Sequence, residues 1–203
     1  MKTIISVGTA LILLSLSACK DSEVNLPPDV VSEFPLSVGS RWTYAVYASV
    51  SGRRDTVNVT IEQRIVAEPP KAVYLWQYQY LARTESLYVT RSRDTVRFSV
   101  SRDGSGQLVN IIFPLQVGRR WGTRYLDSTL VSARESVVVP GGSYAETFRI
   151  DQVSLLPNDL SRFQYWIEPN VGIVKIFRRV FITVDLGNNT KETWQLLWYS
   201  LAQ

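Results

Sequence analysis

The chain has no histidine and a single cysteine, Cys19. Together these remove the Ser-His-Asp triad, Cys-His pairs and histidine-ligated zinc from the possible chemistries. Carboxylate, lysine, tyrosine and serine–lysine chemistry remain. A glycosidase needs two carboxylates at a set separation, but the 18 Asp and Glu residues form no recognisable motif. Glu135, Glu146 and Glu168 fall inside strand-like stretches, where an exposed face tolerates them. Gly104-Ser105-Gly106 lacks the strand-to-helix setting of a phosphate cradle. We therefore assign no catalytic residue, no metal and no cofactor, and expect a protein that is not an enzyme.

Aromatic side chains offer binding chemistry instead. The chain carries six Trp, ten Tyr and seven Phe. In Tyr74-Leu75-Trp76-Gln77-Tyr78-Gln79-Tyr80, a period of two places Tyr74, Trp76, Tyr78 and Tyr80 on one face. That row could stack sugar rings or line an apolar cavity; equally, it could be the core face of a sheet. Trp42 and Trp121 join it as candidate ligand contacts, and they too have a structural reading as core. Arginine-rich turns such as Arg53-Arg54-Asp55 and Arg91-Ser92-Arg93-Asp94 could grip anionic headgroups, but each carries its own aspartate and reads as a solvated hairpin tip. The formal net charge of +4 falls to +3 without Lys2, too weak a bias to argue for nucleic acid.

The first 18 residues read as a secretory leader. Lys2 precedes an apolar run from Ile4 to Leu16, too short for the ~20 residues that span a bilayer. Small residues lead to Cys19 in the order Leu16-Ser17-Ala18-Cys19. This resembles the lipobox of bacterial lipoproteins, in which the leader is cut before the cysteine and the cysteine is acylated. A lone cysteine in an exported chain needs such an explanation, and two or three acyl chains anchor stably where one is marginal. Residues 19–33 then read as an acidic, Pro27-Pro28-stiffened linker. Its start, Cys19-Lys20-Asp21-Ser22-Glu23, is similar to the acidic export tag of surface lipoproteins of the Bacteroidota, with Ser22 interrupting the acidic pair. The expected location is the outer membrane, lipid-anchored, on either the periplasmic face or the cell surface.

From residue 34 to 203 the pattern is that of strands. About eleven alternating runs are separated by turn signals such as Ser51-Gly52, Asp103-Gly104, Gly141-Gly142 and Gly187-Asn188. At most one or two short helices are expected, the best candidate being Pro157–Arg162, with Asn158 or Asp159 as cap. The expected fold is mainly β: one strongly curled antiparallel sheet, a half-barrel or barrel, because twist makes so long a sheet curl or close.

One stretch occurs twice. FPLSVGSRWTY at 34–44 returns as FPLQVGRRWGT at 113–123, with seven of eleven positions identical. Pro35 and Pro114 hold the preceding Phe extended, and Gly39 and Gly118 permit a tight turn. Trp42 and Trp121 then open a strand. The unit reads as a device that crosses the end of a sheet and plugs it with aromatics, used once in each of two related halves that start near 34 and 113.

Four landmarks resemble a group of uncharacterised bacterial secreted proteins and lipoproteins. They are Phe34 to Tyr44, Val139-Pro140-Gly141-Gly142-Ser143-Tyr144, Tyr165 to Lys175, and Trp194 to Leu201. The resemblance implies a curled sheet similar to the half-barrels of lipoprotein carriers, and no activity. A lipocalin signature would separate Gly from Trp by one residue; here Ser40 and Arg41 both intervene. The reading that results is a non-catalytic envelope lipoprotein binding an apolar or glycan ligand in an aromatic-lined concavity. The alternative is a structural or protein-binding module without a small ligand. Substituting Cys19→Ser is expected to abolish incorporation of labelled palmitate and to release the chain from the membrane fraction; labelling that persists would place the lipid elsewhere or nowhere.

Overall fold

A computed structural model describes residues 34–68, 71–122, 127–156, 159–181 and 189–203. The leader, Cys19 and the linker lie outside the described residues. Twelve strands run β1 (Arg41–Ala48), β2 (Arg53–Glu68), β3 (Lys71–Gln79), β4 (Thr84–Ser92), β5 (Thr95–Ser99), β6 (Gln107–Ile112), β7 (Arg120–Trp121), β8 (Asp127–Val139), β9 (Gly142–Ser154), β10 (Arg162–Glu168), β11 (Gly172–Val180) and β12 (Thr190–Ser200). All pairings are antiparallel, and the strands form one nearly closed, barrel-shaped sheet.

Alternation explains which side chains point inward. Trp42, Tyr44 and Val46 of β1, and Val57, Val59 and Ile61 of β2, are buried, while the residues between them are more exposed. The sheet order is β6-β5-β4-β3-β2-β1-β12-β11-β10-β9-β8-β7. Two six-stranded meanders therefore join edge to edge at β1 and β12. Side chains link the far edge β6 to the other meander: Trp121 Nε1 of β7 donates to the Asn110 carbonyl at 2.7 Å, and Gln152 Nε2 of β9 to the Leu108 carbonyl at 3.4 Å. Register shifts in β2 beyond Ile61 and in β8 beyond Val131 bend the long strands at matching places, as bulges do.

The two copies of the repeat make the same backbone contacts. Gly39 N donates to Ile61 O at 2.8 Å, and Ile61 N returns a bond to Ser40 O at 3.0 Å. Gly118 N donates to Val131 O at 2.8 Å, and Val131 N returns one to Arg119 O at 3.0 Å. Both glycines sit at positive φ, +91° and +92°. Phe34, Leu36, Phe113 and Leu115 are all buried, and the two phenylalanine rings lie 6.1 Å apart. Phe34 also stacks on Trp76 at 6.3 Å, and Trp76 on Trp42 at 5.1 Å. One end of the sheet is thereby plugged.

The other landmarks converge there. Trp42 Nε1 donates to Val171 O at 2.8 Å, and the Tyr44 hydroxyl to Ile173 O at 2.7 Å. Gly141 N donates to Leu196 O at 2.8 Å, and a Cβ on Gly141 would come within 2.9 Å of that carbonyl oxygen. The Ala202 amide donates to the buried Ser40 hydroxyl at 3.1 Å, fastening the C-terminus to the first repeat.

Two details differ from the sequence reading. The additional strand is β7, whose two residues are too few to show alternation. The helix candidate at 157–162 falls partly outside the described residues; Asp159 instead accepts a bond from Ser161 N, Leu160 N donates to Phe181 O, and Arg162 opens β10. The short polar side chain offers the backbone a local alternative to a helical ladder.

A Cβ on Gly118 would meet nothing within 4 Å. Gly118→Ala therefore isolates the conformational requirement from packing. It is expected to lower stability by about 1–2 kcal/mol in urea unfolding; an unchanged midpoint would mean the turn relaxes freely.

Candidate functional site

The end away from the plug is differently furnished. Between β3–β6 on one side and β10–β12 on the other lies a cavity of about 280 Å³. Leu87, Phe98, Val109, Ile176 and Trp194 supply hydrocarbon and aromatic wall, while Tyr78, Tyr80, Tyr165, Glu85 and Arg178 supply polar groups. A wider hollow of about 550 Å³ near Arg54, Gln79 and Leu81 lies open to solvent and has largely polar neighbours.

Strand register places the polar groups. Tyr165 on β10 pairs with Ile176 on β11, and Arg178 pairs with Phe163 one inward step nearer the open end. Arg178 also faces Glu192 of β12, and Ile176 faces Trp194. Arg178 Nε and Nη2 both approach Glu192 Oε2 at 2.7 Å, and Trp194 Nε1 donates to the same oxygen at 3.1 Å. The guanidinium carbon lies 5.4 Å from the Trp194 ring centre. Glu85 is held from outside by Arg83 at 2.6 Å, and the Arg83 guanidinium carbon sits 4.1 Å from the Tyr80 ring centre.

Burial pushes the Tyr78 and Tyr165 hydroxyls well above the ordinary phenol range, although the nearby Arg178 charge pulls both down. Tyr44 is raised for the same reason. Burial, aided by Glu85, pushes Tyr80 up to about 12. All four are neutral donors at physiological pH.

The structure divides the candidates read from the sequence. Tyr78 and Tyr80 line the cavity. Trp42 and Trp76 form the buried stack beneath it, and Tyr74 is buried towards the plugged end with Arg64 5.9 Å from its ring centre. Trp121 is half-buried at the β6/β7 seam. Phe98, Phe163 and Arg178 also line it and were not singled out from sequence, while Tyr165 and Trp194 line it and were read there only as the first residues of two landmarks. The one available signal was Arg178, a cation at an inward step of Gly172–Val180, but Arg179 beside it reads equally well as the inward residue.

Turns at this end of the sheet carry exposed aliphatics, of which Val100 lines the cavity itself. Val50 is 70%, Leu81 94%, Val100 51% and Leu160 60% exposed. Outside the barrel, the carboxylates within strands are engaged: Glu135 accepts from Trp166 Nε1 at 2.7 Å, Glu168 from the Thr147 hydroxyl at 3.0 Å, and Glu146 pairs with Arg134.

No protein-family model matches the sequence, and no curated protein matches it. Among solved structures, the chain is similar to a candidate exported protein with a YmcC-like fold from Bacteroides fragilis. The identity is 14%, the TM-score 0.51, and the match covers 82% of this chain and 98% of that one. It is also similar to a candidate lipoprotein from Parabacteroides distasonis, at 13% identity and a TM-score of 0.47 over 82% and 97% of the two chains. The first likeness speaks to fold.

The raised phenols make a pH prediction. Below about pH 10, Tyr44, Tyr78, Tyr80 and Tyr165 are neutral in both folded and unfolded chains. Above it the unfolded chain loses protons that the folded chain keeps, so stability falls as pH rises through about 12. Absorbance at 295 nm is expected to show a slow tyrosinate phase coincident with unfolding. Complete, instantaneous ionisation of all ten tyrosines near pH 10, in folded protein, would contradict the burial of these hydroxyls.

Proposed function

We propose that this protein is a non-catalytic lipoprotein of the bacterial cell envelope, anchored to the outer membrane through Cys19, that binds a small, largely apolar ligand inside its barrel. The observation that carries this reading is the aromatic cavity at the open end, set above a densely packed plug. A protein needing only stability would fill that space as the plug end is filled. The leader and Leu16-Ser17-Ala18-Cys19 support the envelope address, and the exported neighbour from B. fragilis agrees with it.

The chemistry of the lining favours binding over turnover. Glu85 is the carboxylate among the lining residues, and Arg83 and Tyr80 already engage it. A second carboxylate positioned for acid–base work does not line the cavity among the described residues. An apolar ligand fits better than a free glycan, because aliphatic and aromatic groups outnumber exposed hydrogen-bonding groups in the lining.

The exposed rim favours a second reading, in which the open end docks on another envelope protein and the cavity is incidental. Val50, Leu81, Val100 and Leu160 would then be contact residues. Native mass spectrometry of residues 22–203 purified from the periplasm separates the two. A reproducible small-molecule adduct lost on unfolding is expected. A bare polypeptide mass, both directly and after incubation with lipid extract, would move the case to the docking reading.

A further inference from the structure

The cavity's hydrogen-bonding groups are unequal in kind. The Tyr165 side chain belongs to a residue only 7% exposed, lines the cavity, and its hydroxyl has no hydrogen-bond partner among the described residues. Tyr78 is partly buried, lines the same cavity, and its hydroxyl likewise has no hydrogen-bond partner among the described residues. Arg178 has five N–H donors in a planar fork. Glu192 occupies the Nε edge, through one oxygen, and the Nη1 side has no bond to a described residue. Glu192 is not itself part of the lining, whereas Arg178 is. The lining anion, Glu85, is spoken for by Arg83 and Tyr80. The site therefore holds unused donors and no free anionic acceptor. These donors face the cavity and are open to a group that accepts from them.

The placement is one-sided. Arg178, Tyr165 and Tyr78 come from β11, β10 and β3. The wall from β4 to β6 presents Leu87, Phe98, Val100, Leu108 and Val109. Val100 and Leu108 are about half exposed and carry that apolar wall out to the mouth. A cavity of about 280 Å³ is at the small end of ligand sites, which run ~300–1,000 Å³. It has room for one chain and not for a two-chain lipid.

Resting on the cavity reading above, we propose that the ligand is a single-chain amphiphile with a carboxylate head, held by the free edge of Arg178 and the hydroxyls of Tyr78 and Tyr165. Its hydrocarbon chain lies along the β4–β6 wall and leaves over Val100 and Leu108. The planar carboxylate matches the open edge of the guanidinium fork. The neutral tyrosines add donors without adding charge.

The test is calorimetric titration of the mature chain, without its lipid, with dodecanoate, dodecanol and dodecyltrimethylammonium below their micellar concentrations. Dodecanoate is expected to bind about tenfold or more tighter than dodecanol, the scale of one charge-assisted hydrogen bond. The double substitution Arg178→Gln with Glu192→Gln removes the pair without stranding a charge. It is expected to bring the two affinities level while leaving dodecanol within about twofold of its original value. Tyr165→Phe keeps the ring and is expected to weaken dodecanoate several-fold more than dodecanol; it decides the matter if the double variant fails to fold. Equal affinities for dodecanoate and dodecanol in the unsubstituted protein would overturn the head-group assignment and leave the apolar cavity standing. A preference for the ammonium would overturn it as well, with the sign reversed. If none of the three binds, the cavity reading falls and this inference falls with it.

Discussion

Everything in this fold depends on closing a sheet that has no helix among its described residues to cover its inner face. Twelve antiparallel strands must bury one side against themselves, and the side chains they point inward must fill the space they enclose. The contact between Phe34 and Phe113 is where this is accomplished, because each ring is delivered by one copy of the repeat and they meet across the barrel end. The carbonyls of Val171 and Ile173, which accept from Trp42 and Tyr44, and the Ser40 hydroxyl, which accepts from Ala202, tie the β10–β11 turn and the C-terminus to the same plug. The backbone bonds of Gly39 and Gly118 set the angle at which each copy enters.

A duplicated device does not make equivalent halves. Trp42 is 1% exposed at the centre of the aromatic stack, whereas Trp121 sits half-buried and spends its indole N–H on sealing the β6/β7 seam. That seam is closed less completely than any ladder: the side-chain oxygens of Asn110 and Gln152 are buried there without partners. The inward rows diverge further. In the first half, β4 to β6 present Leu87, Val89, Phe98, Val109 and Ile111; in the second, β10 to β12 present Tyr165, Arg178 and Glu192 among their apolar neighbours. The frame comes from the repeat, and the polarity of the cavity comes from the places where the halves stopped being alike.

This division also marks what sequence could reveal. Period-two alternation and the repeated Phe-Pro-Leu-x-Val-Gly-x-x-Trp were enough for a curled antiparallel sheet, because both act through nearest neighbours and turns. They gave the correct face for Tyr74, Trp76, Tyr78 and Tyr80, but not their depth. Whether an inward aromatic is packed or lines a cavity depends on how far along the barrel axis it sits, which strand tilt and bulges in β2 and β8 decide. Arg178 and Glu192 become partners only through the β11–β12 register, so no local pattern announces them. Glu135, Glu146 and Glu168 were easier to place, since a carboxylate within a strand calls for an outer face and a cation or donor there.

The inner ion pair and the free hydroxyls resist explanation by stability. Glu192 is buried while the Arg178 side chain keeps about a third of its surface exposed in the cavity, and withdrawing such a carboxylate from water costs desolvation that the attraction between the partners often only offsets. Tyr78 and Tyr165 add two hydroxyls that line the cavity and have no hydrogen-bond partner among the described residues. The plug, built on the same strands, shows the solution reached where only packing matters: phenylalanine, leucine and tryptophan, ring against ring. One barrel thus holds two answers to the same geometric problem. Packing alone accounts for the plug, and the polar groups at the open end are the ground on which the proposed ligand site rests.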